Sequence, residues 1–297
     1  MKPTIESQDY WTHDLSPFIF KFPDSWVEFI KIDGIRYYGL SYLLGFFVAA
    51  LLLRIYYKKG KSPLNPEQQS NYITAIILGV LLGGRMGYML LYSFDSLIQN
   101  PFNLFKVWEG GMASHGGFAG VAFAIIWTGR NLKIPVWKLA DITVTLAPAG
   151  IFFGRIANFI NGELYGKITE VSWAIIFPKA PLEYIPEFGI LARLPRHPSQ
   201  LYAAFLEGLL LFLFAQFRLW KNRGITKSEA HGVLTGEFLI FYAVVRIVGE
   251  FFREPDSDLI FSISKGQFYS VILGTIGVGI VCRMHFKNNR KNLSKEA

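Results

Sequence analysis

Three arginines, Arg85, Arg155 and Arg246, lie inside long apolar runs. A guanidinium at the centre of a membrane helix costs roughly 2.5–3.5 kcal/mol, so such residues are functional-site candidates by default. Their neighbours fall at helical spacing. Arg155 and Asn158 are three apart and share one helix face, and the run they belong to ends at Asn161-Gly162-Glu163. Tyr242, Arg246 and Glu250 are each four apart, which puts a phenol, a guanidinium and a carboxylate on one stripe. His115 and Tyr38 each open another apolar run. Two arginines with amide donors make a bidentate clamp for a phosphate in a low-dielectric setting, where Arg serves better than Lys. A neutral histidine nearby can accept a proton from an attacking nucleophile. The chain has no HExxH, GxSxG or P-loop pattern, no two-metal carboxylate set, and a single cysteine, Cys282. Neither a metal nor a cofactor is expected, and the clamp must meet developing charge electrostatically.

The elements that carry these residues follow from composition. Of 297 residues 52% are hydrophobic and only 18% charged, against about 25% charged in an ordinary soluble domain. Seven apolar blocks, 37–57, 72–92, 112–128, 139–160, 198–217, 233–252 and 265–282, are each about the length that crosses a bilayer as one helix. The expected fold is therefore an all-α membrane protein, a bundle of about seven transmembrane helices. It comprises an external segment 1–36, a catalytic bundle 37–282 with an external loop at about 161–197, and a basic tail 283–297. The net charge of +8 comes from Lys and Arg at the ends of apolar blocks; it forms no continuous stripe, so nucleic acid is not expected as a partner. One set of loops, including Arg54 to Lys61 and the C-terminal tail, holds 16 basic residues and three acids; the other holds 11 basic residues and fifteen acids. Positively charged loops stay in the cytoplasm, which puts the N-terminus outside and the C-terminus inside. Arg85, Arg155, Arg246, His115 and Tyr38 then converge at one depth under the outer headgroups. A phosphate site at that depth suggests a phospholipid substrate.

Plainer readings compete for each residue. Arg85 and Arg155 could snorkel to headgroups, and Arg246 with Glu250 could be a structural ion pair. Asp141, Glu207 and Glu237 read as singly spread packing or snorkelling residues. The run Glu254, Asp256, Asp258 reads as a solvated outer turn. Gly79, Gly83 and Gly87 on one helix and Gly116 and Gly120 on the next have the spacing of close helix packing. The alternative function is a transporter or channel for anionic solutes, with the arginines as a selectivity ring. It needs a polar path to the inner face, and the inner halves of the second, third and sixth helices offer few polar residues for one.

The segment Gly154-Arg155-Ile156-Ala157-Asn158-Phe159-Ile160-Asn161-Gly162-Glu163-Leu164-Tyr165-Gly166 resembles the signature of the prolipoprotein diacylglyceryl transferases of bacterial inner membranes. Further matches follow in order: Tyr37-Tyr38-Gly39-Leu40, Gly83-Gly84-Arg85, Gly110 to Gly117 around His115, Arg196-His197-Pro198-Ser199-Gln200-Leu201-Tyr202, and Tyr242 to Asp256. The similarity runs from about residue 36 to 282, with Ala157 where the family usually has Gly and an outer stretch at about 168–195 unlike other members. The resemblance implies an enzyme that moves the diacylglyceryl group of phosphatidylglycerol to the lipobox cysteine thiol of preprolipoproteins, in the bacterial cytoplasmic membrane, with its active site toward the outer leaflet. It implies His115 as general base for the thiol and Arg155 and Arg246 as ligands of the lipid phosphate. Tyr38, Asn158, Glu163, Gly166 and Tyr242 would shape the pocket, with Arg85, Asn161 and Glu250 as further substrate-binding candidates.

Overall fold

The computed structural model describes residues 10–30, 33–106, 110–221, 231–255 and 262–296. The expectation of a solvated turn at Asp256 and Asp258 lies outside these residues. In chain order the helices are α1 (Asp24–Ile30), α2 (Tyr37–Lys58), α3 (Pro66–Tyr92), α4 (Phe94–Gln99), α5 (Ser114–Asn131), α6 (Val136–Ile160), α7 (Ser199–Ala203), α8 (Leu211–Lys221), α9 (Val233–Glu250) and α10 (Lys265–Glu296). A π-helical stretch, Ala204–Leu210, joins α7 to α8 so that one helix runs from Ser199 to Lys221. The described residues also form short strands: β1 (Trp11–Thr12), β2 (Phe18–Lys21), β3 (Gly34–Arg36), β4 (Ile175–Ile176), β5 (Glu183–Ile185) and β6 (Ile190–Ala192).

Helices occupy all seven apolar blocks, and among the described residues five are long and apolar enough to cross a membrane: 37–58, 66–92, 136–160, 199–221 and 265–287. The other two, α5 and α9, have 18 residues each. Leu43, Phe47, Leu82, Leu91 and Phe123 are each more than 60% exposed; such a surface would associate in water and is stable against lipid. The boundaries shift where local chemistry overrides hydropathy. α3 starts at Pro66, six residues before its apolar block, because Asn65 and Gln68 form a capping box and Pro66 occupies the first turn. α10 continues through the basic tail to Glu296.

The chain divides into two compact units. One comprises Phe46–Leu146, Gln216–Thr235 and Ile280–Ala297. Its apolar core is Leu53, Tyr56, Leu64, Tyr72, Leu139, Ile142, Leu146 and Leu219. Within it α3 and α5 approach backbone to backbone: a Cβ on Gly83 would lie 2.4 Å from the Gly116 carbonyl oxygen, and one on Gly120 would lie 1.9 Å from that of Gly79. Only glycine fits such a seam. Asp141 is not the packing or snorkelling residue expected. It is buried and accepts from the Gly232 N–H at 2.7 Å, and from the Thr235 N–H and hydroxyl at 2.8 and 2.7 Å, capping the start of α9.

The other unit comprises Met1–Gly45, Ala147–Ala215 and Gly236–Gly279. Here β1 pairs parallel with β4, Trp11 opposite Ile175; β2 pairs antiparallel with β3, and β5 with β6. His13 is buried, bonds the Phe159 carbonyl at 2.7 Å and stacks on Phe177, fastening the N-terminal segment to the end of α6. Arg196 is 2% exposed, pairs with Glu183 and Glu254 at 2.8 and 3.1 Å and lies over the Tyr165 ring. The segment 161–197 is thus a folded layer with its own small core of Ile175, Phe177 and Ala180.

Candidate active site

The polar residues of the second unit form two groups. In the first, the Tyr38 hydroxyl donates to Glu163 Oε1 at 2.6 Å, and Asn158 donates from Nδ2 to Tyr38 Oη and, at 2.8 Å, to the same carboxylate oxygen. Asn158 is buried near the C-terminal end of α6. Gly162, with φ of +61°, turns the chain there so that Glu163 comes back over it. Gln200 holds the same turn by donating to the Glu163 carbonyl at 2.6 Å.

The second group is a chain of alternating charge. Glu207, wholly buried, accepts from Arg155 Nη2 at 2.8 Å on one oxygen and from Arg246 Nη1 at 2.7 Å on the other. Arg246 Nη2 continues to Glu250 Oε1 at 2.6 Å, and Arg253 lies 3.7 Å from that same oxygen. The Ser264 hydroxyl fixes the other oxygen of Glu250 at 2.7 Å. Arg155, Glu207, Arg246 and Arg253 line a small cavity, together with Ser199, Gln200 and Gly249. Arg155 from α6 and Arg246 from α9 therefore reach one place, and the Arg246–Glu250 pair expected from their spacing forms.

Glu207 is the residue the sequence reading misassigned as packing or snorkelling. It lies 52 positions from Arg155 and 39 from Arg246, so no helical period connects them. The signal available was a lone carboxylate in an apolar run, at the same cost that flagged the arginines. Tyr242 sits half-buried one turn before Arg246 and stacks on Phe238. Asn161 is buried and its carbonyl accepts from Lys179. Gly166 is wedged in backbone: a Cβ there would lie 2.4 Å from the Phe252 carbonyl oxygen and 2.6 Å from that of His197. Its glycine is thus required by close packing. His197, which bonds the Tyr202 hydroxyl at 3.1 Å and packs on Phe252, is held by burial below the usual histidine pKa.

Arg85 and His115 belong to the first unit. Arg85 is 4% exposed and donates to four backbone carbonyls, those of Leu104 at 3.2 Å, Asn103 at 2.6 Å, Gly111 at 3.3 Å and Gly110. Four of its five N–H groups are thus engaged in holding the loop that leads into α5, where a role on substrate was expected. His115 is exposed in the first turn of α5, beside the glycine seam. Among the described residues no three His, Cys, Asp or Glu converge as a metal site would require.

Five long apolar helices among the described residues, and a buried arginine–carboxylate chain within one of the two units, define a multi-pass helical membrane protein with a polar site. A family model described as prolipoprotein diacylglyceryl transferase matches residues 27–283, and the chain belongs to that family. It is 42% identical over 252 residues to the phosphatidylglycerol–prolipoprotein diacylglyceryl transferase of Pasteurella multocida, covering 84% of this chain and 87% of the relative. The proteins of the same name from Rhodopseudomonas palustris and Rickettsia felis are each 40% identical, over 82% and 86% of this chain and 84% and 94% of their own lengths.

Proposed function

We propose that this enzyme transfers the diacylglyceryl group of phosphatidylglycerol to the lipobox cysteine thiol of preprolipoproteins, the first step of bacterial lipoprotein maturation. The observation that carries the reading is the convergence of Arg155 and Arg246, from different helices, on one cavity. Arg155 donates one of its five N–H groups to Glu207, which leaves donors for a phosphate. In the reaction the thiol sulfur bonds to the glycerol carbon that bears the phosphate. The carbon–oxygen bond breaks with its electron pair on the phosphate oxygen, and glycerol phosphate leaves. Negative charge grows on that oxygen, so guanidiniums aimed at it stabilise the transition state more than the ground state. His115 takes the thiol proton, and Tyr38, Asn158 and Glu163 shape the wall beside Arg155. No metal or cofactor enters this scheme.

Seven transmembrane helices, with the N-terminus outside and the C-terminus cytoplasmic, would set the site toward the outer leaflet of the cytoplasmic membrane. Both substrates are amphiphiles, and holding them in one leaflet removes most of the entropy of encounter. The test is purified protein with phosphatidylglycerol and a lipobox peptide. A thioether-linked diacylglyceryl peptide plus glycerol phosphate is expected. A folded preparation that yields neither product overturns the reading.

A further inference from the structure

Glu207 has no place in the reaction just described, yet it is the most enclosed charge in the site. A buried carboxylate needs strong pairing to stay ionised, and one arginine in good geometry would provide it. Glu207 instead gives one oxygen to Arg155 and the other to Arg246, 2.8 and 2.7 Å away, so it cancels one of the two charges of the clamp while fixing their separation. The π-helical stretch Ala204–Leu210 carries it; α-helices widened in this way are frequent at functional positions. Beyond Arg246 the chain continues through Glu250 to Arg253, so three guanidiniums and two carboxylates leave one net positive charge. Glu163, the nearby carboxylate of the same unit, is held by Tyr38 and Asn158.

Resting on the reading of Arg155 and Arg246 as phosphate ligands, we propose that Glu207 is a specificity-determining residue: it tunes the cavity to a singly charged phosphodiester and against a doubly charged phosphate monoester. A membrane lipid with a diester headgroup brings one negative charge and neutralises this arginine–carboxylate chain. The monoester expelled by carbon–oxygen cleavage carries close to two at pH 8, since its second pKa is about 6. The surplus charge then sits in a poorly solvated cavity against Glu207, where repulsion is strong. Glu207 thus disfavours lipids with monoester headgroups as donors and speeds release of the phosphate product.

The experiment is competition by two soluble esters, glycerol phosphate and glycerophosphoglycerol, against phosphatidylglycerol at pH 8, in wild type, Glu207→Gln and Glu207→Asp. In wild type the diester should compete at least as well as the monoester. In E207Q the monoester should gain about tenfold or more relative to the diester, and E207D, which keeps the charge, should keep the wild-type ratio whatever its turnover. A ratio in folded E207Q equal to that of wild type overturns the proposal. So does a shift in E207D as large as that in E207Q, because charge would then not be the cause. Should E207Q fail to fold, a tenfold preference of wild type for the monoester is sufficient to overturn it. If neither ester competes in wild type, the phosphate-ligand reading of the arginines fails as well.

Discussion

Arg246 is gripped from two sides, by Glu207 at 2.7 Å and by Glu250 at 2.6 Å, which fixes the plane of its guanidinium. A lysine would supply the charge without the planar fork, so Arg246→Lys should lower turnover about a hundredfold or more while the protein remains folded in the membrane. Near wild-type rates in a peptide-lipidation assay would show that only diffuse charge matters. Replacing His115 by Gln keeps hydrogen bonding and removes basicity. Turnover should collapse at neutral pH and partly recover above about pH 8.5, where a free thiol ionises unaided; full activity at pH 7 would exclude His115 as the base. His197 makes a prediction of opposite kind, about stability. Burial holds its folded-state pKa below the unfolded value of about 6.5, so protonation favours the unfolded chain. Its contribution is complete above about pH 6.5 and is lost as pH falls from there through the folded-state pKa. Thermal melts should therefore drop in this window, and His197→Phe should flatten that slope. At this scale helical spacing was a good guide within one element, as with Arg246 and Glu250. It was blind between elements, which is why Glu207 stayed hidden.

Helix packing in the first unit depends on backbone contact between α3 and α5, with no room for a Cβ at Gly79, Gly83, Gly116 or Gly120. Gly120→Ala should cost roughly 1–3 kcal/mol through overpacking and lower the melting temperature, whereas Gly60→Ala, at an open position with φ of +64°, should act only through backbone strain. Equal melting points for G120A and wild type would show that the helices part without penalty. The glycine spacing that announces this seam was legible in the sequence, as were the seven apolar blocks. The start of α3 was not read correctly, because the capping box at Asn65 works through polar residues that hydropathy discards, and the Asp141 cap of α9 was missed for the same reason although the start of α9 at Val233 was read. The short strands were missed for a related reason. Segments of two to four residues, paired to partners as distant as Trp11 and Ile175, carry no detectable period.

At the scale of the whole molecule, charge bias assigns the segment 161–197 to the outside and the loop after α2 to the inside. Lys59 is exposed just after α2, and Lys179 lies in the 161–197 layer with its amine on the Asn161 carbonyl. In intact cells an impermeant thiol reagent should label a cysteine placed at Lys179 and spare one placed at Lys59. Labelling of Lys59→Cys alone would invert the orientation. The pairing of β1 with β4 and the seat of His13 between Phe159 and Phe177 have a consequence during synthesis. At a ribosomal rate of about 5–20 residues per second, Ile175 is made roughly ten to thirty seconds after Trp11. Through that interval the nascent N-terminal segment carries Trp11 with no partner strand at β4 and His13 with no seat between Phe159 and Phe177. A chain that stalls before Ile175 keeps β1 unpaired and His13 without its aromatic seat, so an unfinished copy differs from a finished one at its very first strand.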